Sequence, residues 1–153
     1  MPDRYLLLDK HWPSKPANVQ FARMALRTVT CAIAAEAADL IELAVGEACA
    51  NAIEHGSPSG SANEFALRCL VSPRKGKLVI EVEDQGSKAD ISRLRAFDLP
   101  AAESEGGRGL FLIHQIMDEV QIDKSGKGVR IRMSKAIPPV AESTLANLCS
   151  SML

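Results

Sequence analysis

No run in this chain reaches the roughly 18 to 20 consecutive apolar residues needed to span a bilayer, and the apolar centre of its N-terminal MPDRYLLLDK is too short for a signal peptide. A membrane protein is therefore not expected, and a cytoplasmic one is. An excess of charge of one sign is also missing. The formal net charge of −1 gives no electrostatic case for direct binding of nucleic acid or of an anionic membrane. The four cysteines (Cys31, Cys49, Cys69, Cys149) form no CxxC pair, which speaks against a zinc knuckle or a redox motif. Three of the four have mainly apolar neighbours and read as reduced packing residues. The histidines (His11, His55, His114) are scattered, so no imidazole metal cluster is suggested. GxxxxGK[ST] occurs nowhere, which removes a P-loop.

What is present is enough for one domain with a real core: 153 residues, 46% hydrophobic and 24% charged. RYLLLDK (residues 4–10) reads as a first strand, broken by Pro13 and Pro16. Val19, Ala22, Leu26, Val29 and Ile33 recur at threes and fours, predicting an amphipathic helix over about residues 16–36. Arg23 and Arg27 lie off that stripe, as a solvated basic face or part of a protein-binding one. A second, almost wholly apolar helix follows over residues 38–55, stopped by Gly56 and Pro58. EFALRCLV and LVIEVEDQG, joined by PRKGK, form a hairpin. Residues 87–106 read as a long loop, residues 109–120 as a helix, and VQIDKSGKGVRIRMSK as two strands about a turn at Gly126 and Gly128. Hairpins interleaved with helices predict an α+β sandwich rather than a doubly wound parallel sheet. Residues 1–137 are taken as the domain and 138–153 as a tail, either a short helix or a loosely packed terminus.

Three stretches carry chemistry. In GEACANAIEHG (residues 46–56), with about 100° of rotation per residue, Glu47, Asn51 and Glu54 fall within an arc of roughly 60°, with His55 at its edge. Small and apolar residues surround them, so this polar stripe is not an ordinary solvent face. An amide oxygen beside a carboxylate suits magnesium, which takes few protein ligands and keeps water and phosphate, and a carboxylate one turn away is placed to act as a base. Pairing of Glu47 with a nearby arginine and of Asn51 with backbone is the alternative. EVEDQG (residues 81–86) ends a strand in Asp84 followed by Gly86, fit for accepting a bond from an exocyclic amine under a flat ring or simply for a turn. EGGRGLFLI (residues 105–113) puts three glycines at the start of a helix, either an anion site built on backbone N–H groups or a hinge.

Taken together and in this order, E-x-x-x-N on an apolar helix, D-x-G after a strand, a long loop and G-x-G opening a helix resemble the GHKL ATPases, over most of residues 5–135. EACANAIEH and GGRGLFLIHQIMDEV look most like the anti-sigma-factor serine/threonine kinases of partner-switching modules. The resemblance implies a two-layer GHKL (Bergerat) sandwich, a mixed, mostly antiparallel sheet covered by helices on one face, that binds ATP and Mg²⁺. It implies Asn51 as metal ligand and Glu47 as the base taking the proton of a serine or threonine hydroxyl. Asp84 would bond the adenine amine and Gly86 would admit the ring. Gly107, Arg108, Gly109 and Leu110 would hold the phosphates under a lid of residues 87–106. The implied partners are a small antagonist protein, the phosphorylation substrate, and a sigma factor; a homodimer is left open. The chain departs from the family in offering Gly128 near the final strand, where a threonine is frequent. The alternative function is a nucleotide-responsive binding module that transfers no phosphate, and Glu47 separates the two.

Overall fold

The computed structural model describes residues 3–56, 62–86, 105–126 and 128–152. Five strands, β1 (Tyr5–Pro13), β2 (Glu64–Ser72), β3 (Lys77–Asp84), β4 (Glu119–Ser125) and β5 (Gly128–Ala136), pair in the order β1-β2-β3-β5-β4. Every pairing is antiparallel. Among the described residues four α-helices accompany them: α1 (Val19–Ile33), α2 (Ala38–Gly56), α3 (Glu105–Ile116) and α4 (Glu142–Met152). This is the α+β sandwich expected of the sequence.

Period-2 alternation decides which face of the sheet is covered. In β2, Phe65, Leu67, Cys69 and Val71 are buried, while Glu64, Ala66, Arg68 and Leu70 are half-buried. In β3 the buried series Leu78, Ile80, Val82 continues without interruption into Asp84. A carboxylate therefore takes the next place on the apolar face. Val82 and Ile80 stand opposite Ile131 and Met133 of β5, and Ile122 opposite Ile131, so the same face runs across to β4. The helices bury their stripes against it. Leu26 and Val29 of α1, Ile41 and Val45 of α2 and Ile113 of α3 all have no exposed surface. Each such side chain gains about 1.5–3 kcal/mol from leaving water. The other face carries charge: Arg68 lies 3.4–3.7 Å from carboxylates of Asp9, Glu81 and Glu83, and Arg130 and Arg132 each lie 3.9 Å from Glu81.

Several boundaries move from those read in the sequence. The first helix is shorter than residues 16–36, because Pro16–Asn18 and Ala35–Ala37 are 3₁₀ turns and Ala34 leaves the helix at φ −147°. Arg23 and Arg27 remain solvated, about half exposed, but both are ion-paired. Arg27 Nη1 donates to Glu42 Oε2 at 2.6 Å and to Asp39 Oδ1 at 3.2 Å, and Arg23 Nε lies 3.4 Å from Glu42, tying α1 to α2. The third helix starts four residues earlier than position 109 and ends at Ile116; Val120, read as helical, stands on β4 opposite Met133. Residues 142–152 are helical. Leu145 of α4 is fully buried, Tyr5 hydroxyl donates to Glu142 at 3.1 Å, and Cys149 donates to the Leu6 carbonyl at 3.4 Å.

Candidate functional site

Helix α2 lies between α1 and α3, and its polar stripe is turned toward α3 at the point where α3 begins. The approach is close because of Gly109. A methyl group there would sit 2.8 Å from Glu47 Oε2 and 3.7 Å from both Glu47 Cβ and Asn51 Nδ2. The helical spacing of Glu47 and Asn51 thus becomes a real juxtaposition, and the glycine that sequence reasoning assigned to phosphate serves first as the gap that admits a carboxylate. Gly107 and Arg108 fall in the first turn of α3, the turn whose backbone N–H groups have no partner within the helix. The side chain of Arg108 lies outside the described residues. Leu110, one step further, is 5% exposed and packs in the hydrophobic core.

Asn51 Nδ2 is buried and has no hydrogen-bond partner among the described residues. A buried amide left unsatisfied costs about 1–3 kcal/mol, so it marks a place where a partner belongs. Since the two ends of an asparagine amide exchange by a simple flip, the group can offer its oxygen to a cation and its NH₂ to a phosphate oxygen. Pairing of Asn51 with backbone, the alternative weighed from sequence, is not what the geometry shows. Glu54 separates from the other two: it is exposed and borders a different cavity of about 370 Å³, apolar in character, with Pro16, Val19, Ala50 and Ile53. The side chain of His55 lies outside the described residues. No group of three or more His, Cys, Asp or Glu residues is placed to hold a metal ion among the described residues. A cation here would take its ligands from an amide, water and phosphate, which magnesium tolerates.

Asp84 forms the second part of the site. It is 5% exposed, and its Oδ1 accepts the Val129 N–H at 3.1 Å. Gly86 follows two residues on, half-buried, with Asn63 Nδ2 3.4 Å from where a β-carbon would be. Beside it Gln85 Oε1 accepts the Glu64 N–H at 2.8 Å, fixing the end of the hairpin. Of the expected lid, residues 87–104 lie outside the described residues, while Glu105 and Gly106 belong to α3. Gly128, read from the sequence as a departure from the family, has a steric reason in the structure. A β-carbon there would be 1.9 Å from the Asp84 carbonyl oxygen and 2.6 Å from Asp84 Oδ1, so the position can carry no side chain, threonine included. The Val129 amide gave no signal at all, being a backbone donor. Burial pushes the Cys49 and Cys69 thiols up to about 12, in keeping with packing residues.

An antiparallel sheet with a buried acid at the end of its central strand, and an E-x-x-x-N helix facing a glycine-started helix, define the class of ATP-binding domains found in histidine kinases. Residues 12–135 match the histidine kinase-like ATPase domain family. The serine-protein kinase RsbW of Bacillus pumilus is 31% identical over 140 residues, covering 84% of this chain and 85% of its own. That of Oceanobacillus iheyensis is 30% identical over 142 residues, covering 87% and 88%. The chain belongs to this family of anti-sigma-factor serine kinases with a histidine kinase-like ATPase fold. A solved structure of the RsbU and RsbW domains of Rv1364c from Mycobacterium tuberculosis superimposes with a TM-score of 0.60 at 16% identity, over 84% of this chain. The chain spans 32% of that longer protein, and the likeness concerns the fold. Among the described residues no helix is long and apolar enough to cross a membrane.

Proposed function

We propose that this chain is a cytoplasmic, Mg-ATP-dependent serine/threonine protein kinase and anti-sigma-type regulator, whose phosphorylation substrate is a small antagonist protein and whose other partner is a sigma factor. The observation that carries the reading is the meeting of Glu47, Asn51 and Gly109, with a buried Asn51 amide nitrogen that no described residue satisfies. Support for the activity comes from relatives named serine-protein kinases that match over most of both chains. Asn51 would hold Mg²⁺, which when bound would supply charge compensation for the triphosphate.

The chain's own groups do the rest. Asn51 offers its amide oxygen to the cation. Asp84 accepts a hydrogen bond from the exocyclic amine of adenine, and Gly86 leaves room for the ring. The first turn of α3, including Gly107 and Arg108, presents backbone N–H groups and a positive helix end to the phosphates. Glu47 takes the proton of the acceptor hydroxyl as its oxygen attacks the γ-phosphorus; the P–O bond to the β-phosphate breaks and ADP leaves. Positioning and charge compensation supply most of what phosphoryl transfer needs.

Glu47→Ala is the test. It should retain Mg-ATP binding by calorimetry while abolishing transfer to a co-purified antagonist; transfer at the unsubstituted rate rules out the base. In Asn51→Ala the affinity for Mg-ATP itself should fall, by about tenfold or more if one charge-assisted contact is lost, and equal affinity removes Asn51 from the metal site.

A further inference from the structure

On the charged face of the sheet, short side chains come together on three neighbouring strands near the turn from β2 to β3. Ser72 of β2 is paired with Lys77 of β3. Val79 of β3 is paired with Ser134 of β5, which in turn is paired with Glu119 of β4. Ser72 is 6% exposed, Val79 9% and Ser134 8%. Longer side chains stand around them, and the difference in reach leaves a cavity of about 300 Å³. Its rim sets Arg4, Lys75, Lys77 and Arg132 against one acid, Glu119. That is a local excess of positive charge on a chain whose formal net charge is −1. Since β3 runs from Lys77 to Asp84, the cavity lies at the opposite end of that strand from the proposed nucleotide pocket.

Two features separate this cluster from an ordinary solvated face. Elsewhere on the same face the charges are matched, as where Arg68 lies among the carboxylates of Asp9, Glu81 and Glu83. Here the matching is incomplete. Lys77 Nζ lies 2.9 Å from Glu119 Oε1 and Arg132 Nη1 3.9 Å from Glu81 Oε2, while Arg4 and Lys75 have no ion pair among the described residues. The second feature is the pair of serines. Their hydroxyls line the cavity on residues more than nine-tenths buried, and make no hydrogen bond among the described residues. Polar groups withdrawn from bulk water want a partner, and cations gathered without counter-charge repel one another. One anion answers both demands.

We propose that this cavity is a second ligand site, which takes a compact phosphorylated anion of the pyrophosphate or small phosphate-ester class. The inference is independent of the reading of Glu47 and Asn51. A carboxylate brings one charge and two oxygens, too little for four cations and two hydroxyls. A phosphoryl group brings a charge of about −1.5 to −2 and three strong acceptor oxygens. The guanidiniums of Arg4 and Arg132 suit its planar pairs of oxygens, and the lysines add point charges. The Lys77–Glu119 pair is no obstacle, because an exposed ion pair of that kind is worth little and yields to a dianion. A cavity of about 300 Å³ is at the small end for ligand sites, which sets the limit at a small ester.

Pyrophosphate without Mg²⁺ is the probe, titrated into the full chain at constant ionic strength and followed through the backbone amide resonances. Saturable shifts should appear at Ser72, Lys77, Gln121 and Ser134. The double substitution Arg4→Glu with Lys75→Glu, at two exposed positions that leave the core untouched, should weaken binding at least about tenfold, the scale of one lost contact to a charged group. Asn51→Ala should leave the affinity at these resonances unchanged, which separates this site from the nucleotide pocket. Shifts confined to the first turn of α3, or the absence of saturable shifts at the four named residues in the millimolar range, overturn the proposal. So does an affinity within about twofold of the original in the double variant, where a contact of that strength should have been lost. An equal response to acetate at the same ionic strength would reduce the site to a region of screened charge and overturn it as well.

Discussion

Gly109→Ala separates the fold from the chemistry at the centre of the site. The added methyl would lie 2.8 Å from Glu47 Oε2, nearer than ordinary van der Waals contact. Its other near neighbours, Glu47 Cβ and Asn51 Nδ2, stand at 3.7 Å and need not move. The strained atom is the end of a flexible side chain, so the carboxylate withdraws by roughly 0.5–1 Å and the helices stay where they are. Position 109 lies within α3, where replacing glycine by alanine gains about 0.5–1 kcal/mol in helix propensity. The substitution therefore pushes stability and activity in opposite directions. Thermal unfolding should stay level or rise. Phosphate transfer to the antagonist, followed with labelled ATP under single-turnover conditions, should slow on the order of 10- to 100-fold, the cost of a misplacement of this size. Nucleotide affinity should change little, since Asn51 keeps its place. Transfer within about twofold of the original rate, in a variant that melts no lower, refutes the claim that the position of Glu47 governs the reaction.

The hydrophobic layer offers simpler checks. Leu26→Ala and Ile113→Ala, both at fully buried sites on different helices, should each cost about 2–5 kcal/mol by denaturant titration; a loss under half a kilocalorie would mean the helices do not pack as described. Leu145→Ala should destabilise on a similar scale, about 2–5 kcal/mol, if α4 docks against the body as its burial indicates; a neutral result would make α4 dispensable to the fold. Among the thiols, exposed Cys31 should react with an alkylating reagent in the native protein, while Cys49 and Cys69, buried and held near 12, should react only on unfolding. Rapid native labelling of either would contradict the packing.

Much of the site was legible because two side-chain periods fall directly out of the sequence. The 3.6-residue period put Glu47 and Asn51 on one stripe of an otherwise apolar helix, and they do meet at Gly109. The two-residue period ran Leu78, Ile80 and Val82 into Asp84, which is buried as that series requires. Helix ends were less legible. Gly106, Gly107 and Gly109 read as segments ahead of a helix because glycine disfavours helix interiors, yet α3 begins at Glu105, where packing against α2 outweighs propensity. At the other end, Met117 and Val120 fit a helical spacing and a strand alike, and pairing with β5 decided for the strand from Glu119 onward. Gly128 was visible as a departure from the family, but its steric reason depends on Asp84, 44 positions away.

A crystal structure of this chain with Mg²⁺ and a non-hydrolysable ATP analogue tests the central claim most directly. The account predicts the metal on the Asn51 side-chain oxygen, the Glu47 carboxylate beside the terminal phosphate and the adenine amine on Asp84. Nucleotide bound elsewhere, or bound with Glu47 and Asn51 turned away from the triphosphate, would contradict it.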